Sequence, residues 1–148
     1  MKLTQIIFLI FLSILSSGCD WMETAEVSYP NYQSAVKAGA IGEGKWIPVL
    51  LPMSAENIRE SHNLDTNEIW LFFQFNLSEL PLLIKDCTKT IKSEIVYPRK
   101  SSGDWWPQVL SQKSGAQQTE VAYQYYRCNK GVMAIDLKKG EVFYWEPA

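Results

Sequence analysis

Glu68-Ile69-Trp70-Leu71-Phe72-Phe73-Gln74-Phe75 is the most strand-like stretch of the chain. Ile69, Leu71, Phe73 and Phe75 alternate with Trp70 and Phe72, so two apolar sets point to opposite sides. A strand that is apolar on both faces belongs at the centre of a sheet covered on both sides. The rest of the fold is read outward from this strand.

Upstream, Asn63 to Asn67 is a polar turn. Before it, Ser54 is placed to cap a helix that runs through Ile58 and Arg59 to about Ser61. Lys45 to Pro52 carries two prolines that each remove a ladder donor, which suits an extended or edge segment. Gly42-Glu43-Gly44 is a turn. Pro30 to Ala38 reads as a short helix with Pro30 near its first turn and Gly39 at its end.

Downstream, Ser78 is placed to cap a helix on which Leu80, Ile84, Cys87 and Ile91 form one buried face. Glu94 to Tyr97 has the pattern of a short strand ended by Pro98, and Asp104 to Leu110 that of a short helix. Lys113 to Gln118 is a loop. Three strands then close the chain: Glu120 to Cys128, Val132 to Leu137 and Glu141 to Trp145. Asn129-Lys130-Gly131 and Lys138-Lys139-Gly140 turn between them, as three-residue hairpin loops ending in Gly do. Helices come first and strands mostly later. The class is therefore α+β: an antiparallel sheet with a C-terminal three-strand meander and short helices packed mainly on one face.

The first nineteen residues say where the protein resides. Lys2 is a positive n-region, Ile6 to Leu12 an apolar run, and Ser16, Ser17 and Gly18 lead into Cys19. That is a secretory layout, and its run of about ten residues is half of what a membrane-spanning helix needs. The Gly-Cys ending resembles the lipobox of bacterial lipoproteins, with Ser16 in place of the commoner Leu three residues before the Cys. The resemblance implies cleavage before Cys19 and attachment of lipid there, which makes the membrane itself a partner. Asp20 resembles the signal that retains such proteins in the inner membrane, facing the periplasm. The chain then divides into a leader over 1–18, a lipidated Cys and coil tether over 19–29, and one domain over 30–148.

Composition narrows the functional classes. Loss of Lys2 with the leader leaves thirteen basic against sixteen acidic residues, a mature charge of −3. No basic run appears, which argues against nucleic acid. Of three cysteines, Cys19 goes to lipid, and Cys87 and Cys128 remain to pair as a disulfide in an oxidising compartment. No G-x-S-x-G, phosphate loop, dinucleotide fingerprint or H-E-x-x-H is present.

Two polar or aromatic clusters stand out as candidate sites. Arg59, His62, Asp65, Asn67 and Glu68 form the first. A His beside carboxylates can serve as a base or a ligand, but it is the chain's single His, and a zinc site wants several N or S ligands. Read on a helix with Ala55 and Ile58, His62 would instead order the turn into the central strand. Trp105-Trp106, between Asp104 and Pro107, is the second cluster. Exposed tryptophans stack on sugars, anchor interfaces or rest at lipid headgroups, and buried ones fill a core.

From Tyr29 to Phe75 the chain resembles an uncharacterised group of bacterial lipoproteins. The shared look is Gly44-Lys45-Trp46-Ile47-Pro48, then Leu51 to Arg59, His62 to Glu68, and the aromatic strand. This resemblance implies no activity. The expectation is a lipid-anchored periplasmic domain that binds or supports another envelope component, such as a protein, without catalysis, cofactor or metal. Arg59, His62, Asp65, Trp105 and Trp106 are its candidate contacts. The alternatives are a small-ligand or envelope-glycan module and, third, a hydrolase using His62 with Asp65 or Glu68.

Overall fold

The computed structural model describes residues 24–98, 103–111 and 122–147. The leader, Cys19, Asp20 and the Lys113 to Gln118 loop lie outside the described residues. The strands are β1 (Thr24–Asn31), β2 (Glu56–Asn63), β3 (Ile69–Gln74), β4 (Cys87–Thr90), β5 (Gln124–Cys128), β6 (Gly131–Asp136) and β7 (Glu141–Glu146). They make one seven-stranded sheet in the order β1-β2-β3-β7-β6-β5-β4, antiparallel throughout. The α-helices among the described residues are short: α1 (Tyr32–Lys37) and α2 (Leu80–Leu83). The α+β class with its C-terminal meander is thus observed.

β3 sits at the middle of the sheet, between β2 and β7. Leu71, Phe73 and Phe75 enter one core with Met133, Val142 and Tyr144. Trp70 and Phe72 enter the other with Trp106, Phe143 and Trp145. Both α-helices contribute to the first core, through Ala35 and Leu83. The second is closed by Ile95, Tyr97 and Trp106.

Several local expectations are corrected. The largest is the helix over Ser54 to Ser61, which is β2. Ile58, Glu60 and His62 share one face, and Arg59 and Ser61 share the other. The buried polar residues Glu60, Ser61 and His62 hide this alternation from a hydrophobicity reading. Ladders to β1 and β3 satisfy the backbone on both sides, which outweighs helix propensity. Asn57 adopts φ 51°, and the register slips between Glu56 and Arg59 there, a bulge suited to Asn.

Residues 24–29, read as coil tether, belong to the edge strand β1. Their register against β2, from Thr24 opposite Asn63 to Asn31 opposite Glu56, supplies the hydrogen bonds that a coil would have left to water. The helix expected from Ser78 is a 3-10 turn over Leu77–Glu79, capped by Asn76, whose side chain accepts from Ser78 N at 3.0 Å, followed by α2, which ends at Leu83. Cys87 to Thr90 then pairs with β5, where Thr88 and Thr90 suit a pleated ladder. Cys87 and Cys128 are directly opposite in that ladder and form the disulfide. The bond is as expected, but it joins two strands and not a helix to a strand.

Lys45 to Pro52 is turn-rich, with a single bridge between Ile41 and Ile47. Residues 95–98 lie flat over the sheet and form no strand: Trp145 Nε1 donates to Val96 O at 2.8 Å. The short helix expected over Asp104 to Leu110 is one 3-10 turn over Gln108–Leu110. The first meander loop is only Asn129-Lys130, because Cys128 pairs with Gly131. Gly131 is required by close approach, since a Cβ there would collide with the buried ring of Tyr144.

Candidate functional site

The alternation along β2 divides the first residue cluster between the two faces of the sheet. His62 lies with Glu60 on the face that carries Leu71 and Tyr144, and Arg59 lies on the face that carries Phe72 and Phe143. Asp65 stands exposed in the turn after β2. Its backbone N donates to Asn63 Oδ1 at 2.9 Å, and its carboxylate has no partner among the described residues. The structure therefore does not bring Arg59, His62 and Asp65 together.

His62 is 7% exposed and Glu60 3%. His62 Nδ1 meets Glu60 Oε1 at 2.8 Å. Trp46, on the loop before β2, covers the imidazole with ring centroids 3.9 Å apart and planes 5° apart. Burial raises the Glu60 carboxyl above the ordinary carboxylate range. The His62 hydrogen bond and charge oppose that rise, and Glu26 adds to it. Among the described residues there is no group of three or more metal-ligating side chains.

Arg59 and Trp105 do converge. They line one groove of 680 Å³, with Tyr29, Phe72, Gln74 and Phe143. The cross-strand register places Ser28, Arg59, Phe72 and Phe143 in one row. Trp105 leans over this row, its ring centroid 6.5 Å from Phe72. A polar row runs beside it: Asn57 Nδ2 donates to Gln74 Oε1 at 2.6 Å, and Gln74 Nε2 donates to Glu141 Oε1 at 3.3 Å. The exposed Arg59 guanidinium has no ion pair or side-chain hydrogen bond among the described residues. The Trp105 Nε1–H is buried and likewise unpartnered there.

Trp106 is not part of this groove. It is 3% exposed, donates from Nε1 to Leu110 O at 3.1 Å, and packs edge-on against Phe143 and Trp145. Its role is in the core. Sequence reasoning missed Trp46, Tyr29 and the Asn57–Gln74–Glu141 row. The Trp46 signal was present in the Gly44 to Pro48 motif, but its ring contact is with His62, on a strand that the local pattern presents as a helix.

A second, larger groove of 1210 Å³ opens on the opposite face, at the end of the sheet where β1 begins. The disulfide, Ile69, Leu51 and Tyr144 line its interior. Tyr144 OH donates to Glu146 Oε1 at 2.7 Å, and burial, with that bond, holds the phenol well above its usual range. His62 lines neither groove.

The fold and its grooves define a small antiparallel α+β domain with an aromatic, arginine-bearing surface cleft. Within it, residues 23–74 are similar to the YbbD head domain, a match of about a third of the chain. The match spans β1, α1, β2 and β3, and it overlaps the Tyr29 to Phe75 stretch singled out in the sequence. No curated protein and no solved structure matches the chain.

Proposed function

We propose that the protein is a non-catalytic binding domain of the bacterial envelope, held on lipid at Cys19 on the periplasmic side, that engages another envelope component through the Arg59–Trp105 groove. One observation carries this reading. Arg59 is exposed and unpaired among the described residues, and it stands in a cross-strand row beside Phe72 and Phe143, in a groove that Trp105 also lines. A planar guanidinium beside aromatic faces suits an anionic group with an apolar body, because it takes a carboxylate in a two-pronged hydrogen bond while the rings cover the remainder. Aromatic and Arg side chains are also the usual energetic centres of interfaces. The leader and Asp20 support a periplasmic, inner-membrane address.

The groove's concavity and its Asn57–Gln74–Glu141 row favour a second reading, in which the occupant is a small ligand or an envelope glycan. The hydrolase alternative has no geometric support: His62 lies under Trp46 and outside both grooves.

Crosslinking and capture from intact cells tests the proposal, comparing wild type with Arg59→Ala and with Trp105→Ala. One envelope protein captured by wild type and lost in both variants supports a protein partner at the groove. The same protein captured equally by all three overturns it. No captured protein, together with thermal stabilisation of wild type but not of Arg59→Ala by soluble envelope-glycan fragments, favours the second reading.

A further inference from the structure

The smaller groove sorts its side chains by chemistry. Phe72, Phe143 and Trp105 give it carbon surface. The Phe72 and Phe143 ring centroids are 5.1 Å apart, and the Trp105 centroid is 6.5 Å from Phe72. The single polar side-chain atom of Trp105, Nε1, is buried, so this residue meets the groove through carbon. The polar groups lie in the next cross-strand row. Asn57 and Gln74 each use one amide N–H in the row that ends at Glu141. Each amide retains a second N–H, and Asn57 retains its Oδ1, among the described residues. Arg59 joins the two sets: Phe72 is its register partner, and Asn57 is two positions before it on β2.

This segregation selects among anions. A sugar acid carries hydroxyls around its ring, and those set against bare carbon would each lose a hydrogen bond. A phosphate dianion would find one guanidinium for two charges, with the Glu141 carboxylate in the same groove. An internal Asp or Glu of a peptide brings a carboxylate but no apolar branch on the same carbon. The last residue of a chain carries three unlike groups on one Cα: a carboxylate, a peptide amide and a side chain. Where that side chain is apolar, the three match Arg59, the Asn57 and Gln74 amides, and the Phe72–Trp105 surface. The guanidinium takes the carboxylate through two parallel N–H bonds. A primary amide offers both the donor and the acceptor that a peptide unit needs.

We infer that the groove receives the free C-terminus of a peptide or protein ending in an apolar residue, with the terminal carboxylate on Arg59 and the last side chain against Phe72 and Trp105. This rests on the reading of the groove as the binding surface and narrows it to one kind of chain end.

The test uses the full chain in detergent and fluorescein-labelled tripeptides Ala-Ala-X, with X as Leu, Ile, Val, Met or Phe, each made as free acid and as carboxamide. Fluorescence polarisation reads binding, and formation of the disulfide checks that each variant folds. For at least one X, the free acid binds wild type about tenfold or more tightly than its carboxamide, the scale of a hydrogen bond to a charged group. Arg59→Ala brings that ratio to near one. Trp105→Ala weakens the acid severalfold and leaves the ratio unchanged; wild-type affinity in Trp105→Ala would overturn the match to an apolar side chain. Equal affinity of acid and carboxamide, or binding by no peptide, overturns the inference. The groove reading then stands if the protein captured from cells still depends on Arg59, and falls with it if not. Displacement of the peptide by N-acetylmuramic acid or inorganic phosphate at equal or lower concentration marks an acidic glycan or a general anion as the occupant and overturns the chain end.

Discussion

The Trp46 indole lies flat on the His62 imidazole, with centroids 3.9 Å apart and planes 5° apart. One ring belongs to a turn-rich loop and the other to a strand inside the sheet, so the stack adds to the buried Ile47 and Leu51 in holding the loop against the sheet. Trp46→Ala is expected to lower stability by about 2 kcal/mol, the loss of a half-buried aromatic and its stack. It should also open His62 to acylation by diethyl pyrocarbonate. Equal acylation rates in wild type and variant would show that Trp46 is no cover.

Glu60 makes stability depend on pH with a definite sign. Its folded carboxyl is raised above the unfolded value of 4.5, so the folded state holds the proton more tightly. Its contribution is fully present below 4.5 and is lost as pH rises through the raised folded value. Glu60→Gln keeps the shape and removes the buried charge. Denaturant unfolding at pH 5 and pH 8 should show the variant gaining on wild type at the higher pH. A stability difference constant across that interval would contradict the assignment.

The Cys87–Cys128 bond closes a loop with a sequence separation of 41. In the chain-entropy account a loop of that length stabilises by about 4 kcal/mol. Cys87→Ser/Cys128→Ser should shift the denaturant midpoint accordingly. Alkylation of the unreduced, unfolded wild-type chain should label neither residue.

Adjacent tryptophans are expected to respond differently. Trp106→Ala empties a buried site and should cost about 3–5 kcal/mol. Trp105→Ala removes a half-buried ring from the groove wall and should cost under about 2 kcal/mol, with its effect concentrated on binding. Equal losses of stability in thermal unfolding would place Trp105 in the core as well.

Legibility in the sequence followed the strength of the alternating pattern. Glu68 to Phe75 announces a doubly covered strand because its two faces differ from every polar alternative. The meander is readable for the same reason, down to Gly140 at positive φ. β2 was not readable as a strand: Glu60, Ser61 and His62 are buried polar residues, and the burial of Glu60 and His62 depends on their mutual contact and on Trp46. Cys87 misled through spacing, since Leu80, Ile84, Cys87 and Ile91 fit a helix as well as they fit a short helix followed by a strand. The candidate site shows the same division. Arg59 and Trp105 were individually conspicuous, but only the cross-strand register seats Arg59 beside Phe72 under Trp105.

By itself, then, the sequence determined the central strand, the antiparallel meander, the α+β class and the pairing of Cys87 with Cys128. Each follows from local periodicity or from counting thiols. Only the tertiary structure decided that Thr24–Asn31 and Glu56–Asn63 are strands, that Arg59 and His62 face opposite ways, and that Trp106 is core while Trp105 walls a groove. The reason is physical. A strand's hydrogen bonds and a polar residue's burial are supplied by partners distant in sequence, and local propensity carries no record of which partner arrives.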